Sequence, residues 1–123
     1  MIDHCRRCAP EEACGALVGH PGGRVRFEPV TNDSPDPRHH FWFEPSEWAR
    51  LVANAHRGGE YVLAIVHSHP SGPPDPSYDD RHAHEVPGVL MVIVDLSSPE
   101  PVTAWHIEAG NAVAVQVCDE EPC

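Results

Sequence analysis

Two uninterrupted apolar runs, Val62–Val66 and Val89–Val94, restrict the folds open to this chain more than any other feature. Runs of five or six apolar residues are typical of strands that are covered on both faces of a sheet. Both runs are far shorter than the roughly 20 residues that a membrane-spanning helix needs. We therefore expect two central strands, Tyr61–His67 and Val89–Asp95, in a sheet with helices packed against it.

Shorter elements complete the predicted fold. Proline and glycine contribute 14 and 9 of the 123 residues, which favours many turns over long helices. Helices are predicted at Ile2–Ala9, Pro45–Arg57 and Ser77–Glu85, further strands at Cys14–Gly19, Val25–Pro29, Phe41–Phe43, Val102–Ile107 and Ala112–Val117, and a loop at Ser68–Pro76. The apolar stripe of the second helix consists of Trp48, Leu51, Val52 and Ala55. The predicted fold class is α/β, a mixed, curved β-sheet flanked by two or three helices in a single domain over residues 1–123. Whether the N-terminal helix is complete stays open.

The charge balance argues against two classes of partner. The chain contains eight arginines, no lysine and 19 acidic residues, which gives a formal net charge of −11. Nucleic acids and anionic membrane surfaces are bound by clustered basic side chains, which this composition does not provide. The first ten residues contain no apolar leader segment. We therefore expect a soluble, cytoplasmic protein that binds neither nucleic acid nor membrane.

The cysteines do not form the framework of a secreted, disulfide-rich domain. Five cysteines are present, an odd number, at irregular spacing. Cys5 and Cys8 form a lone CxxC and are predicted to be reduced thiols on a helix face rather than a metal or redox site. The remaining three are Cys14, Cys118 and Cys123.

The stretch from His67 to Asp80 contains the residues that indicate a catalytic function. Residues two apart on a strand point to the same face, so His67 and His69 can offer two imidazoles to one ion. Residues three apart on a helix also share a face, so Ser77 and Asp80 project together from the helix that follows. Two histidines and one aspartate supply three ligands and leave a fourth tetrahedral position open, as in a catalytic rather than a structural zinc site. Taken alone, each half of the pattern has a simpler interpretation. The HxH is also typical of solvated loop residues, and the SxxD is also typical of a helix capping box.

The same residues resemble the signature of the JAMM (MPN+) metalloproteases, which is HxHP, then a spacer, then SxxD, with a glutamate far upstream. His67–Pro70 and Ser77–Asp80 match the first two parts, and Pro10–Gly19 is similar to the family's P-x-E-x-C-G-x-L-x-G stretch. The similarity extends to Asn32, Phe41–Glu47, Asp80–Ala83 and Trp105, and it is greatest to the small stand-alone bacterial and archaeal members. This resemblance implies a β-sheet flanked by helices, related in plan to the cytidine deaminases.

The resemblance also implies roles. It makes His67, His69 and Asp80 the ligands of one Zn²⁺ per chain, Ser77 the hydroxyl that stabilises the oxyanion, and Glu12 the general base that activates a zinc-bound water. Glu11, the neighbour of Glu12, is expected to turn to the opposite face. Because the implied reaction has no covalent intermediate, Cys14 is expected to be a packing residue.

Family members cleave amide or isopeptide bonds after the C-terminal diglycine of ubiquitin or ubiquitin-like proteins. The stand-alone prokaryotic members are associated with ubiquitin-like sulfur carriers. The resemblance therefore implies a zinc-dependent hydrolase that releases such a carrier from a conjugate or a fused extension. The identity of the carrier, the leaving group and the oligomeric state stay open, and a homodimer through an exposed strand edge is one option.

Other interpretations compete with this one. A RadC-like protein would share HxHPSG and SxxD, a non-catalytic MPN scaffold would share the fold, and a phage-tail or cell-wall peptidase could use the same fold. A zinc nucleoside deaminase would need a PCxxC after the histidine, which is missing here. Four further histidines receive no catalytic function, namely His39, His40, His82 and His84. The three tryptophans are expected in the core or on the sheet face, namely Trp42, Trp48 and Trp105.

Overall fold

Six strands form one mixed sheet in the computed structural model, which describes residues 1–83 and 88–117. The strand order is β2-β1-β3-β4-β5-β6; β3 and β4 are parallel, and all other neighbours are antiparallel. The elements in chain order are α1 (Ile2–Cys8), β1 (Cys14–Gly19), β2 (Val25–Val30), α2 (Pro45–Arg57), β3 (Tyr61–His69), α3 (Tyr78–Ala83), β4 (Leu90–Asp95), β5 (Val102–Glu108) and β6 (Asn111–Val115). The predicted mixed sheet with two or three helices is confirmed.

The central strand β3 divides the interior into two layers. Its side chains alternate, so Ala64 and Val66 face one side while Ile65 and His67 face the other. The first side packs against Cys5 of α1 in the larger apolar cluster. The second side shares its face of the sheet with a smaller cluster of Met91, Ile93 and Ile107. Both faces of β3 are therefore covered, as the continuous apolar run predicted.

β3 is two residues longer than predicted. The sequence placed His69 in a loop, but Ser68 and His69 continue the pairing with β4, opposite Val94 and Asp95. The Ser68 N–H also donates to the carbonyl of Ala13 at 2.9 Å. The strand continues because its neighbours still offer hydrogen-bond partners, and it ends at Pro70, which has no N–H to donate.

The predicted strand at Phe41–Phe43 is wrong. Only one isolated bridge forms there, between Phe43 and Asn32. The Trp42 N–H donates to the side chain of Asn32 at 3.1 Å, and the Trp42 carbonyl accepts from Asp33 N–H at 2.7 Å. The segment is therefore held by a short backbone bridge and by the Asn32 side chain rather than by a regular strand ladder.

Two other expectations need correction. Val52 is 40% exposed, so the apolar stripe of α2 is narrower than predicted, and Ala55 is its buried member. Trp42 is 59% exposed and lies neither in the core nor on the sheet face.

The predicted helix at Ser77–Glu85 is observed as Tyr78–Ala83, and its last two predicted residues lie outside the described part of the chain.

Three of the five cysteines lie in the described part of the chain. Cys5, Cys8 and Cys14 are free thiols, while Cys118 and Cys123 lie outside the described residues. Cys5 is fully buried and belongs to the apolar layer under α1. Within residues 1–83 and 88–117, no helix combines the length and the apolar content that crossing a membrane requires.

Candidate metal centre

Three ligand-type side chains meet where β3 ends. The Nε2 atoms of His67 and His69 lie 3.1 Å apart. One oxygen of Asp80, Oδ1, lies 3.2 Å from His67 Nε2, and the other, Oδ2, lies 3.1 Å from His69 Nε2. The structure therefore brings together the two histidines of the HxH and the aspartate of the SxxD, across an intervening loop.

The spacing of these atoms fits a tetrahedral metal ion. Zinc binds imidazole nitrogen and carboxylate oxygen at about 2.0–2.2 Å, so its tetrahedral ligand atoms lie about 3.3 Å from one another. The observed separations of 3.1–3.2 Å are close to that value, although each imidazole faces a different oxygen of Asp80. The His67 side chain is fully buried, and His69 and Asp80 are each 11% exposed. Imidazole nitrogens and carboxylate oxygens are the donor types that a divalent cation such as zinc binds.

A neighbouring residue orients each of the two imidazoles. The Nδ1–H of His69 donates to the carbonyl of Pro73 at 2.6 Å, which leaves the lone pair of Nε2 directed at the site. The ring of His67 stacks on Phe41, with centroids 4.5 Å apart and planes at 19°. Such supporting contacts set the tautomer and ring plane of a metal-binding histidine.

Asp80 is held by Ser77 in a reciprocal capping box. The Ser77 N–H donates to Asp80 Oδ2 at 2.9 Å, and the Asp80 N–H donates to Ser77 Oγ at 3.1 Å. The two interpretations of SxxD are therefore compatible, because the capping box also directs the Asp80 carboxylate toward the imidazoles. The Ser77 hydroxyl accepts in this pair and keeps its own hydrogen for donation.

Glu12 lies beside the cluster. One carboxylate oxygen of Glu12 and one ring nitrogen each of His67 and His69 all lie within 4.8 Å of one another. Glu12 is 8% exposed, whereas Glu11 is exposed, so the two neighbours do point apart. Glu12 precedes β1 by two residues, and its backbone is therefore held outside the strand ladder.

Long-range hydrogen bonds bring the Glu12 segment to this place. The N–H of Ala13 donates to the buried hydroxyl of Ser68 at 2.8 Å, and the Ser68 N–H donates back to the Ala13 carbonyl. The N–H of Glu12 itself donates to the carbonyl of Pro37 at 2.7 Å. The Glu12 segment is thus attached both to β3 and to the loop between β2 and α2.

The ionisation of the cluster follows from burial and from its own charges. Burial raises the pKa of Glu12 to about 7, and the nearby Asp80 carboxylate adds to the increase. Burial alone would raise the pKa of Asp80, but hydrogen bonds from His67 and His69 outweigh it and hold that pKa well below its usual range. Burial alone would lower the pKa of His69, but Asp80 and the Pro73 carbonyl raise it. In the metal-free cluster, the Glu12 carboxyl therefore gains or loses its proton near neutral pH.

The sequence gives little indication of the groups that support the cluster, which are Ser68, the Pro73 carbonyl and Phe41. The strand alternation of β3 turns Ser68 away from the imidazoles, and a buried hydroxyl needs a partner, so Ser68 could have been singled out. Nothing in the sequence marks the Pro73 carbonyl, and Phe41 is one of several aromatic residues in its segment.

The other histidines and the tryptophans within the described residues lie outside the cluster. The Nδ1 of His39 lies 3.1 Å from Asp36, that of His40 lies 3.8 Å from Asp79, and the His82 Nδ1–H donates to Tyr78 O at 2.7 Å. His84 lies outside the described residues. Trp48 is half-buried and stacks on Phe43, and the half-buried Trp105 donates to Thr103, as expected for packing residues.

The comparisons with known proteins place this fold and its cluster of imidazoles and carboxylates in the JAB1/MPN class of domains. A JAB1/MPN domain protein from Archaeoglobus fulgidus has this fold, with a TM-score of 0.56 at 19% identity over 95% of this chain and 87% of that one. A protein from Desulfitobacterium hafniense superposes with a TM-score of 0.81 at 29% identity, over 96% of this chain and 84% of that one. Residues 1–108 match the family model described as prokaryotic homologs of the JAB domain, and the chain belongs to this family.

Relatives with known roles are similar over most of the chain. Desampylase of Haloferax volcanii is 30% identical over 95% of this chain and 88% of its own length. A probable TtuB-protein conjugate cleaving protease of Thermus thermophilus is 35% identical over 93% and 74%, and the CysO-cysteine peptidase of Mycobacterium tuberculosis is 31% identical over 80% and 68%. The predicted family is confirmed, and so is the prediction of an enzyme, a hydrolase of that family.

Proposed function

We propose that this protein is a zinc-dependent hydrolase that cleaves the peptide or isopeptide bond after the C-terminal diglycine of a ubiquitin-like, sulfur-carrier-type protein. The observation that carries the proposal is the triangle of His67, His69 and Asp80 with the buried carboxylate of Glu12 beside it. The names of the relatives support the substrate class, since they denote enzymes that act on TtuB-protein conjugates and on CysO-cysteine.

Each residue has one task in this proposal. His67, His69 and Asp80 would hold one zinc ion, with Pro73 and Ser77 fixing the second and third of these ligands. When bound, zinc supplies Lewis acidity at the scissile carbonyl and lowers the pKa of water in the site. Glu12 accepts the proton of the attacking water and returns it to the leaving amine. The Ser77 hydroxyl donates to the carbonyl oxygen as negative charge develops there.

The chemistry of a diglycine tail supports this substrate. Two glycines have no side chains, so the tail can lie extended against a strand edge and reach a carbonyl into a narrow site. The net charge of −11 favours a partner with a basic face during encounter. A cytoplasmic location is part of the proposal, supported by the free thiols of Cys5, Cys8 and Cys14.

A non-catalytic scaffold on the same fold is the competing function. A scaffold has no need of a complete ligand set or of a buried carboxylate with a pKa of about 7 next to it. Both features are costly to maintain, because burying ionisable groups opposes folding unless they are paired. The complete cluster therefore favours the hydrolase over the scaffold.

The test combines metal content with cleavage. Zinc is measured by mass spectrometry on the purified protein and on His69→Ala, with His56→Ala as a matched control on the exposed end of α2. Cleavage of a ubiquitin-like protein fused through its diglycine to a reporter is measured for the same proteins and for Glu12→Ala. We expect one equivalent of zinc except in His69→Ala, and cleavage lost in both His69→Ala and Glu12→Ala. Absence of zinc from folded, unchelated protein would overturn the metal site, and zinc without cleavage would overturn the substrate class.

A further inference from the structure

The carboxamide of Asn32 uses all of its hydrogen-bonding capacity on one stretch of backbone. Its Nδ2 donates to the carbonyls of Glu12 and His40, each at 2.9 Å. Its Oδ1 accepts from the N–H groups of Ser34 at 3.0 Å and Trp42 at 3.1 Å. An amide has two N–H donors and two acceptor sites, so this set leaves none of them spare.

These bonds connect two parts of the candidate metal centre. On one side is Glu12, whose own carbonyl is held by the amide. On the other side are residues 40 and 42, which flank Phe41, and the Phe41 ring stacks on His67. The Asn32 side chain therefore fixes two backbone segments. One bears the Glu12 carboxylate, and the other bears Phe41, whose ring supports His67.

Glu12 depends on this connection more than a strand residue would. It lies ahead of β1 and takes its backbone hydrogen bonds from the loop between β2 and α2, through Pro37 at its N–H and Asn32 at its carbonyl. The Asn32 Nδ2 also lies 3.4 Å from the same Pro37 carbonyl. Loss of the amide would free both the Glu12 carbonyl and the loop that receives its N–H.

We propose that Asn32 is a positioning residue for hydrolysis, which holds the Glu12 carboxylate at its working distance from His67 and His69. The proposal rests on the proposed function, in which Glu12 is the base. A displacement of a reacting group by about 1 Å can cost on the order of 100-fold in rate. Loss of the hydrogen bond that fixes the Glu12 backbone is therefore expected to lower the rate of hydrolysis.

A purely structural role for Asn32 predicts a different result. An amide that only stabilises the loop would lower the fraction of folded protein and leave the turnover of folded, zinc-loaded molecules unchanged. A positioning amide lowers kcat of those same molecules, leaves KM for the diglycine-tailed fusion unchanged, and acts only when Glu12 is present. The pairing of Ala13 with Ser68 does not involve Asn32 and keeps β1 beside β3 in either case.

The experiment compares kcat and KM per zinc-loaded site for Asn32→Ala and Asn32→Asp. The aspartate keeps the Oδ1 acceptor and removes the donor to Glu12, so it also serves if the alanine variant fails to fold. Ser34→Ala is the matched control, because it loses a hydrogen bond from Asp36 N–H in the same loop and keeps its own N–H to Asn32. We expect kcat to fall about tenfold to 100-fold in both Asn32 variants with KM within about twofold, and Ser34→Ala to match the unaltered protein.

The second arm repeats Asn32→Ala in a Glu12→Ala background and compares the residual cleavage rates of the two proteins under single-turnover conditions with excess enzyme. Non-additive effects identify residues that act through one another. We expect no further loss of rate in the double variant. An unchanged kcat for both Asn32 variants beside an inactive Glu12→Ala would overturn this inference alone, and so would a full additional loss in the double variant. An active Glu12→Ala would overturn the proposed base and this inference together.

Discussion

Ser68 and Ala13 exchange two hydrogen bonds across the sheet: the Ala13 N–H donates to the Ser68 hydroxyl at 2.8 Å, and the Ser68 N–H donates to the Ala13 carbonyl at 2.9 Å. Ser68 is fully buried and stands between the two histidines of the site, while Ala13 directly follows Glu12. The strand that carries the imidazoles therefore also holds the segment that carries the carboxylate.

Replacing Ser68 by alanine should weaken both the fold and the reaction. The buried Ala13 N–H would lose its hydroxyl partner, and an unsatisfied buried donor costs about 1–3 kcal/mol. We expect the free energy of unfolding in urea to fall by that amount and the cleavage rate to fall with it. Ser98→Ala removes a hydroxyl whose contacts lie within its own turn and should stay within about 0.5 kcal/mol of the unaltered protein. Equal stability of the two variants would contradict the role of Ser68.

The two aspartates at the start of α3 should differ sharply in their effect on metal binding. Asp80 contacts both imidazoles and is 11% exposed, whereas the 67%-exposed Asp79 lies 3.8 Å from His40 only. Loss of a group that merely supports a metal ligand costs 10- to 100-fold in affinity. We therefore expect Asp80→Asn to weaken zinc binding by more than about 100-fold and Asp79→Asn to change it by less than about twofold. Competition with a chromogenic chelator measures both, and similar losses for the two variants would argue against Asp80 as a ligand.

The support of His67 by Phe41 can be separated from the exposed Trp42 beside it. Phe41 stacks on the imidazole at 4.5 Å, and Trp42 is 59% exposed. We expect Phe41→Ala to lower zinc affinity about tenfold, since a less constrained imidazole loses part of its orientation. Trp42→Ala should leave zinc affinity unchanged. The same chelator competition decides the matter, and a larger effect of Trp42→Ala would show that the stacking contact is unimportant.

The pH dependence of stability should report on Glu12 in the metal-free protein. Its pKa rises from 4.5 to about 7 on folding, mainly through burial, so the folded state favours the neutral carboxyl. A raised pKa contributes stability that is fully present below pH 4.5 and is lost as the pH rises through about 7. We expect the stability of chelated protein to fall over this interval more steeply than that of chelated Glu12→Gln. Parallel urea-unfolding curves for the two proteins between pH 5 and pH 8 would contradict the buried, neutral carboxyl.

The bounds of strands and helices were predictable where the local sequence pattern and the contacts with neighbouring elements favour the same structure. β1 and α2 match their predicted bounds, because Cys14–Gly19 is small and apolar and Pro45 opens a helix that Gly58 ends. The turn Ala109–Gly110 joins β5 and β6 with positive φ angles of 51° and 78°, as the predicted hairpin requires. β3 was predicted too short, because its last two residues are polar and only the pairing with β4 keeps them extended.

The site was predictable to the extent that it is local. The imidazoles of His67 and His69 share a face because of strand alternation, and Asp80 turns inward because of the capping box with Ser77. The approach of Glu12 depends on a hydrogen bond between residues 13 and 68, and no periodicity in the sequence encodes that contact. The same holds for the contact between the Trp42 N–H and the Asn32 side chain, which joins residues ten apart in the sequence.

The alternation of His67, Ser68 and His69 along β3 makes activity depend on how the strands align during folding. A shift of β3 by one residue against β1 and β4 would exchange its two faces. The imidazoles would then enter the apolar layer beneath α1, and the Ser68 side chain would point toward Asp80 and Glu12. Such a molecule could be compact and chemically intact and still be inert. Enzymatic activity therefore depends on the correct register of this one strand, β3.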